Sequence, residues 1–142
     1  MSDVNAYLFF DGNCAEAMHF YQSTLGGELQ VMTHGDSPVK DQIPPGAENR
    51  VMHARLLLDG RPLMASDWMP GQPYDGMKGF YLSLVYPTTA EAQKIFDALS
   101  EGGRVNMPMQ QTFWVEAFGM LVDRFGTPWM INGGKPANMN QP

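Results

Sequence analysis

The stretch VMHARLLL, Val51 to Leu58, holds an imidazole and a guanidinium two residues apart, His53 and Arg55. In an extended strand, residues i and i+2 share a face. His53 and Arg55 would therefore project side by side, a pair suited to an anionic or carbonyl-bearing ligand. Met52, Ala54, Leu56 and Leu58 make the other face wholly apolar, so that face must meet the interior. After the hairpin signal Asp59-Gly60, the segment RPLMAS returns antiparallel. An even-length turn would bring Ser66 to the face of His53 and Arg55, whereas an odd-length turn would bring Asp67. Both readings stay open at this level, as does a structural role in which Arg55 bridges a carboxylate and His53 meets a hydroxyl.

Aromatic residues and carboxylates gather in QQTFWVEAFGMLVDRFGTPWMING, Gln110 to Gly133. Core packing accounts for much of Phe113, Trp114, Phe118 and Trp129. Trp114 and Glu116 precede Phe118-Gly119, where the chain passes from loop to strand, which makes Trp114 a candidate stacking platform with Glu116 and Phe118 beside it. Tyr7 and Phe9, sharing a strand face with Asn5, are candidates for an opposing wall. Asp123, within DRFGTPW, reads as a turn former. The single Cys14 allows no internal disulfide. A place in the first turn of a helix can make a thiol nucleophilic, but Cys14 falls on the apolar face, where a small buried residue is expected.

The elements that position these residues occur twice. NCAEAMHFYQSTLGG and TTAEAQKIFDALSEGG each carry a helical apolar stripe, a capping-box spacing (Asn13 with Glu16, Thr88 with Glu91) and a closing glycine pair. Each follows a strand-like run, AYLFF or FYLSLVY, and each precedes a hairpin containing Gly-x-Pro-apolar-Met, at Gly60 to Met64 and at Gly126 to Met130. The first copy holds a longer polar insertion, His34 to Arg50, which reads as a loop. Two copies of a βαβββ unit follow, neither able to bury its own sheet face. The expected architecture is α+β: one domain over 1–142, with repeat one at 3–68, repeat two at 78–133 and a polar tail at 134–142. The mixed sheet would curve around a cavity with the helices outside, and such cavities take small molecules.

A chain of 142 residues with 44% hydrophobic and 17% charged residues can bury a core. Its net charge of -6, with nine Lys and Arg dispersed, offers no basic stripe for nucleic acid. No apolar run is long enough to span a membrane and the N-terminus lacks a signal-peptide pattern, so a cytoplasmic protein is expected.

The segments NCAEAMHFY, HARLLLDGRPLMASD and QTFWVEAFGMLVDRFGTPWMIN closely resemble the PhnB-like branch of the vicinal oxygen chelate superfamily, the group of glyoxalase I, extradiol dioxygenases and bleomycin-resistance proteins. The resemblance implies a homodimer and a cavity that, in the superfamily's enzymes, holds a divalent metal through His and Glu side chains. The positions it implies for ligands fall at or beside Asn5, at Phe80 or Tyr81, around Met130, and at Asp67. Only Asp67 is a usual ligand, so no metal and no other cofactor is expected. The family pattern often has Glu before Thr-Phe-Trp; Gln111 stands there, which removes a possible general base. A ubiquinone-pathway methyltransferase label sometimes attached to such chains finds no glycine-rich nucleotide loop here.

The reading is a metal-free protein that binds a small organic molecule, with Tyr7, Phe9, His53, Arg55, Ser66, Asp67, Trp114, Glu116 and Phe118 as candidate lining. The alternative is a lyase, isomerase or dioxygenase with an atypical metal site around His53 and Asp67.

Overall fold

The computed structural model describes residues 3–38, 41 and 45–136. Part of the expected loop (39–40 and 42–44) and most of the expected tail (137–142) lie outside the described residues. The chain forms two compact units, Met1–Gly76 and Met77–Pro142.

The first unit runs β1 (Tyr7–Phe10), α1 (Cys14–Leu25), β2 (Glu28–Thr33), β3 (Val51–Leu58) and β4 (Arg61–Asp67). Its sheet has the order β1-β4-β3-β2, with β1 parallel to β4 and the other pairs antiparallel. The second unit repeats this as β5 (Leu82–Tyr86), α2 (Thr89–Ser100), β6 (Arg104–Gln110), β7 (Val115–Val122) and β8 (Pro128–Pro136), in the order β5-β8-β7-β6. Each unit is βαβββ, and the whole is α+β. The last strand continues to Pro136, beyond the hairpin segment apparent in the sequence.

Strand alternation explains where each helix sits. Leu8 and Phe10 of β1, Ala54 and Leu56 of β3 and Leu63 and Ala65 of β4 are all buried, and α1 lies against this face. In the second unit α2 lies against the sheet that carries Leu121, Trp129 and Ile131. Gly133 is needed here: a Cβ at that position would collide with the Ala92 side chain and come within 3.0 Å of the Thr88 carbonyl.

The two helices are capped differently. Thr88 behaves as its spacing predicts, accepting a hydrogen bond from the Glu91 amide at 3.1 Å. The corresponding box at Asn13 and Glu16 does not form, because Asn13 makes no side-chain cap bond. Asp67 at the end of β4 replaces it, its Oδ1 accepting from the Gly12 and Cys14 amides at 2.9 Å each. The position of Asp67 in the first hairpin corresponds, through the shared Gly-x-Pro-apolar-Met motif, to Gly133 in the second. One unit caps its helix from the sheet; the other brings helix and sheet into closer contact and caps locally.

Candidate functional site

The Asp59-Gly60 turn decides which residues meet His53. Asp59 (φ 48) and Gly60 (φ 81) both take left-handed conformations, as a tight two-residue hairpin turn requires, and Leu58 pairs with Arg61 across it. The turn is even, and the register Ala54–Ala65, Arg55–Met64 continues to set His53 opposite Ser66. Asp67 is thereby sent to the other face, toward α1.

On the helix-free face of the first unit the registers align side chains in rows. One row runs Tyr7, Met64, Arg55, Gln30 and the next Phe9, Ser66, His53, Met32. Tyr7 and Phe9 are 40% and 42% exposed, far more than a core role would leave them. The Tyr7 hydroxyl lies 3.2 Å from His53 Nδ1, and the rings of Tyr7 and His53 have centroids 5.9 Å apart. The aromatic strip continues from Tyr7 to Phe9 (5.2 Å, tilted), to Trp68 (5.1 Å, edge-on) and to Tyr74 (6.3 Å). Tyr74 donates to the Phe9 carbonyl at 2.6 Å, and burial, then the nearby Asp11 charge, raises its hydroxyl pKa.

Trp68 and Tyr74 belong to this aromatic strip and were not singled out from the sequence. Strand phase gave a signal for Trp68, two residues beyond Ser66 on the same face; Tyr74 lies in a loop rich in Gly and Pro with no period to read. Trp68 Nε1 is buried and has no hydrogen-bond partner among the described residues, so this donor is open to a water or a ligand acceptor. Arg50 fastens the strip's end, donating to the Trp68 carbonyl at 2.6 Å and lying 3.4 Å from Asp11.

Asp67 is 5% exposed. Besides the two cap bonds, its Oδ2 accepts from the Val51 amide at 2.8 Å. Both carboxylate oxygens are committed to backbone, on the face opposite His53, so a metal site joining the two is not formed. Among the described residues no group of three or more His, Cys, Asp and Glu is placed to hold a metal ion. Cys14 is fully buried, and burial first, then the Asp67 charge, pushes its thiol up to about 12. A helix start does not make it nucleophilic, because Asp67 already uses the helix-terminal amides.

In the second unit Trp114 sits edge-on to both Phe113 (4.8 Å) and Phe118 (5.2 Å). Phe118 is buried, whereas Phe113 is 78% exposed. Glu116 accepts from the Lys135 amide at 2.5 Å, beside a shift of the β7–β8 register, and borders a hollow of about 280 Å3 with Gln111, Thr112, Phe113, Val115 and Lys135. The position of His53 in the first unit corresponds to Phe118 in the second and that of Arg55 to Met120, so only the first unit carries cationic chemistry at these positions. Asp123 shapes its turn as expected, accepting from the Phe125 and Thr127 amides at 2.8 and 3.0 Å and from Trp129 Nε1 at 2.8 Å.

The architecture is that of the glyoxalase/bleomycin resistance/dioxygenase fold, shared with such a domain from Frankia sp. EAN1pec at 15% identity and a TM-score of 0.65, over 95% of this chain and 99% of that one. A sequence model of the family described as 3-demethylubiquinone-9 3-methyltransferase matches residues 2–132, and the chain belongs to that family. It is 37% identical to Protein YjdN of Escherichia coli (strain K12), over 91% of this chain and 93% of that protein. Protein PA1353 from Pseudomonas aeruginosa has a similar structure (46% identity, TM-score 0.87, 94% and 98% of the two chains). So does the PhnB protein from Bacillus cereus (25% identity, TM-score 0.77, 94% and 100%).

Proposed function

We propose that this protein binds a small organic molecule with a planar ring on the helix-free face of its first unit, without a metal. Tyr7 and Phe9 supply the stacking surface, and His53, Arg55 and Ser66 supply the polar contacts. One observation carries the reading: two large rings stay about two-fifths exposed beside an imidazole and a guanidinium in adjacent rows of one sheet. Apolar ring surface flanked by a few convergent polar groups is the usual composition of a ligand site. Trp114, with Glu116 nearby and the buried Phe118 behind it, is a second stacking group, in the other unit. Asp67 is assigned to capping, and its commitment to backbone amides argues against the metal-dependent alternative.

Methyl transfer, the activity in the family's name, would need a place for a nucleoside-bearing donor. The residues do not fit one at either helix start: Asp67 occupies the amides before α1, and Thr88 takes the Glu91 amide of α2. Neither turn is glycine-rich.

The test is titration with 2-naphthoate, followed calorimetrically and by amide chemical shifts. Each ring contact is worth about 0.5–1.5 kcal/mol, so the double variant Tyr7→Ala, Phe9→Ala should bind about tenfold more weakly, with wild-type shifts centred on β1 and β3. Unchanged affinity in that variant would refute the reading. We also propose a cytoplasmic homodimer, in which a second copy covers apolar side chains such as Val85 and Phe113, 74% and 78% exposed. Sedimentation at twice the 15.8 kDa chain mass supports the dimer, a persistent monomer at high concentration refutes it, and cell fractionation tests the location. No helix among the described residues is long and apolar enough to cross a membrane.

A further inference from the structure

Tyr7 has a feature that stacking does not use. Its hydroxyl lies 3.2 Å from His53 Nδ1, and the direction of that hydrogen bond fixes where the imidazole carries its own hydrogen. A phenol O–H is a stronger donor than an imidazole N–H, and a neutral imidazole nitrogen is a stronger acceptor than a phenol oxygen, so Tyr7 donates and Nδ1 accepts. The neutral ring then holds its hydrogen on Nε2. That nitrogen is turned away from the Tyr7 hydroxyl and makes no hydrogen bond to a described residue. Among the described residues only Trp68 Nε1 is both buried and unbonded, so Nε2 is open. Ser66 and Met32 face His53 across the strands, Arg55 follows two residues on, and neither row of this face holds a carboxylate. Asp67 is on the other face with both oxygens engaged.

We infer that the Tyr7 hydroxyl is a positioning group that locks His53 as an Nε2–H donor, and that this donor recognises a carbonyl or carboxylate oxygen on the planar ligand. The inference rests on the proposed ligand face and adds to it the role of the hydroxyl, the tautomer of His53 and the place of the ligand's oxygen. The rings of Tyr7 and His53 are tilted by 37° with centroids 5.9 Å apart, so a ligand lying over Tyr7 extends across His53. An acceptor about 2.9 Å beyond Nε2 then sits on the side of His53 away from β1. Such an oxygen is at the far end of a ligand at least two fused rings long. A hydrocarbon or donor-only group at the same point leaves the Nε2–H unanswered, and the face rejects it for that reason.

Two probes of equal shape separate the donor from the ring face: 2-acetylnaphthalene, which carries a carbonyl oxygen, and 2-isopropenylnaphthalene, which carries a methylene in its place. Wild-type protein should bind the ketone about fivefold more tightly, and His53→Phe should bind the two alike. Tyr7→Phe keeps the ring but frees the imidazole to flip and to exchange tautomers. The ketone preference should then fall about twofold, with hydrocarbon affinity unchanged. Long-range proton–nitrogen correlation spectra at about pH 8.5, where imidazole is neutral, read the tautomer directly. The His53 signals, identified by their loss in His53→Phe, should show the hydrogen on Nε2 and a hydrogen-bond shift at Nδ1 that disappears in Tyr7→Phe. Equal wild-type affinity for the two probes, or a hydrogen on Nδ1, overturns the inference. Weakened hydrocarbon binding in the Tyr7→Ala, Phe9→Ala variant would then leave the ring reading standing. A ketone preference lost in His53→Phe, with hydrocarbon affinity unchanged in the ring variant, upholds the donor and refutes the ring reading. Binding of neither probe refutes both.

Discussion

Replacing Asp67 separates a structural from a ligand-binding role for this residue. In Asp67→Ala the amides of Gly12, Cys14 and Val51 lose their acceptor together. The bonds to Cys14 and Val51 are buried, and a buried donor left unpaired costs about 1–3 kcal/mol. Gly12, part-buried, adds a cap contribution of about 1 kcal/mol. The expected loss is about 3–7 kcal/mol, a large fraction of the roughly 5–15 kcal/mol that holds a domain folded. Asp67→Asn is the graded control: its oxygen can still serve Gly12 and Cys14, but its NH2 then faces the Val51 amide, donor against donor, at a cost of about 1–3 kcal/mol. Urea unfolding followed by both far-UV circular dichroism and tryptophan fluorescence, with m unchanged, measures both. The order wild type, Asn, Ala supports the capping role. A loss under about 1 kcal/mol for Asp67→Ala, with 2-naphthoate binding abolished, would refute it and return Asp67 to the ligand site.

The remaining expectations concern the helices and the buried thiol. Thr88→Ala should cost about 1 kcal/mol and Asn13→Ala only a few tenths, measured by the same unfolding curves; equal losses would contradict the two capping modes. Gly133→Ala should cost about 1–3 kcal/mol by overpacking against Ala92, read from the denaturation midpoint. Cys14 should resist alkylation in the native protein and react fully once unfolded, as a mass shift would show. Because its folded pKa lies above the ordinary 9.0, the native state keeps a proton that the unfolded chain releases. Its contribution to stability is therefore complete below about pH 9 and falls as pH rises toward 12, by up to about 1.4 kcal/mol per unit. Cys14→Ala should show a correspondingly shallower alkaline decline.

The sequence by itself determined what lies within a few residues' reach. Periodicity placed both helices and β3, turn chemistry placed the Asp59-Gly60 hairpin, and the second capping box was correct because Thr88 and Glu91 lie within one helical turn. Repetition of these local signals was enough to read two βαβββ units. The edge strands β2 and β6 were not delimited, since their alternation is weak and largely exposed.

Tertiary structure decided which face each candidate residue takes. Strand alternation leaves the face of Ser66 or Asp67 dependent on turn parity, and a shift of one residue exchanges the two. Asp67 then acts on amides 53 and 55 positions away in the chain, a relation no local pattern records, and by doing so displaces the cap that Asn13 and Glu16 would make. The aromatic strip is likewise a product of register: Tyr7, His53 and Trp68 come together only because β1, β4 and β3 pair as they do. Residue types raised an expectation of binding chemistry, but which of them share a face follows from strand pairing.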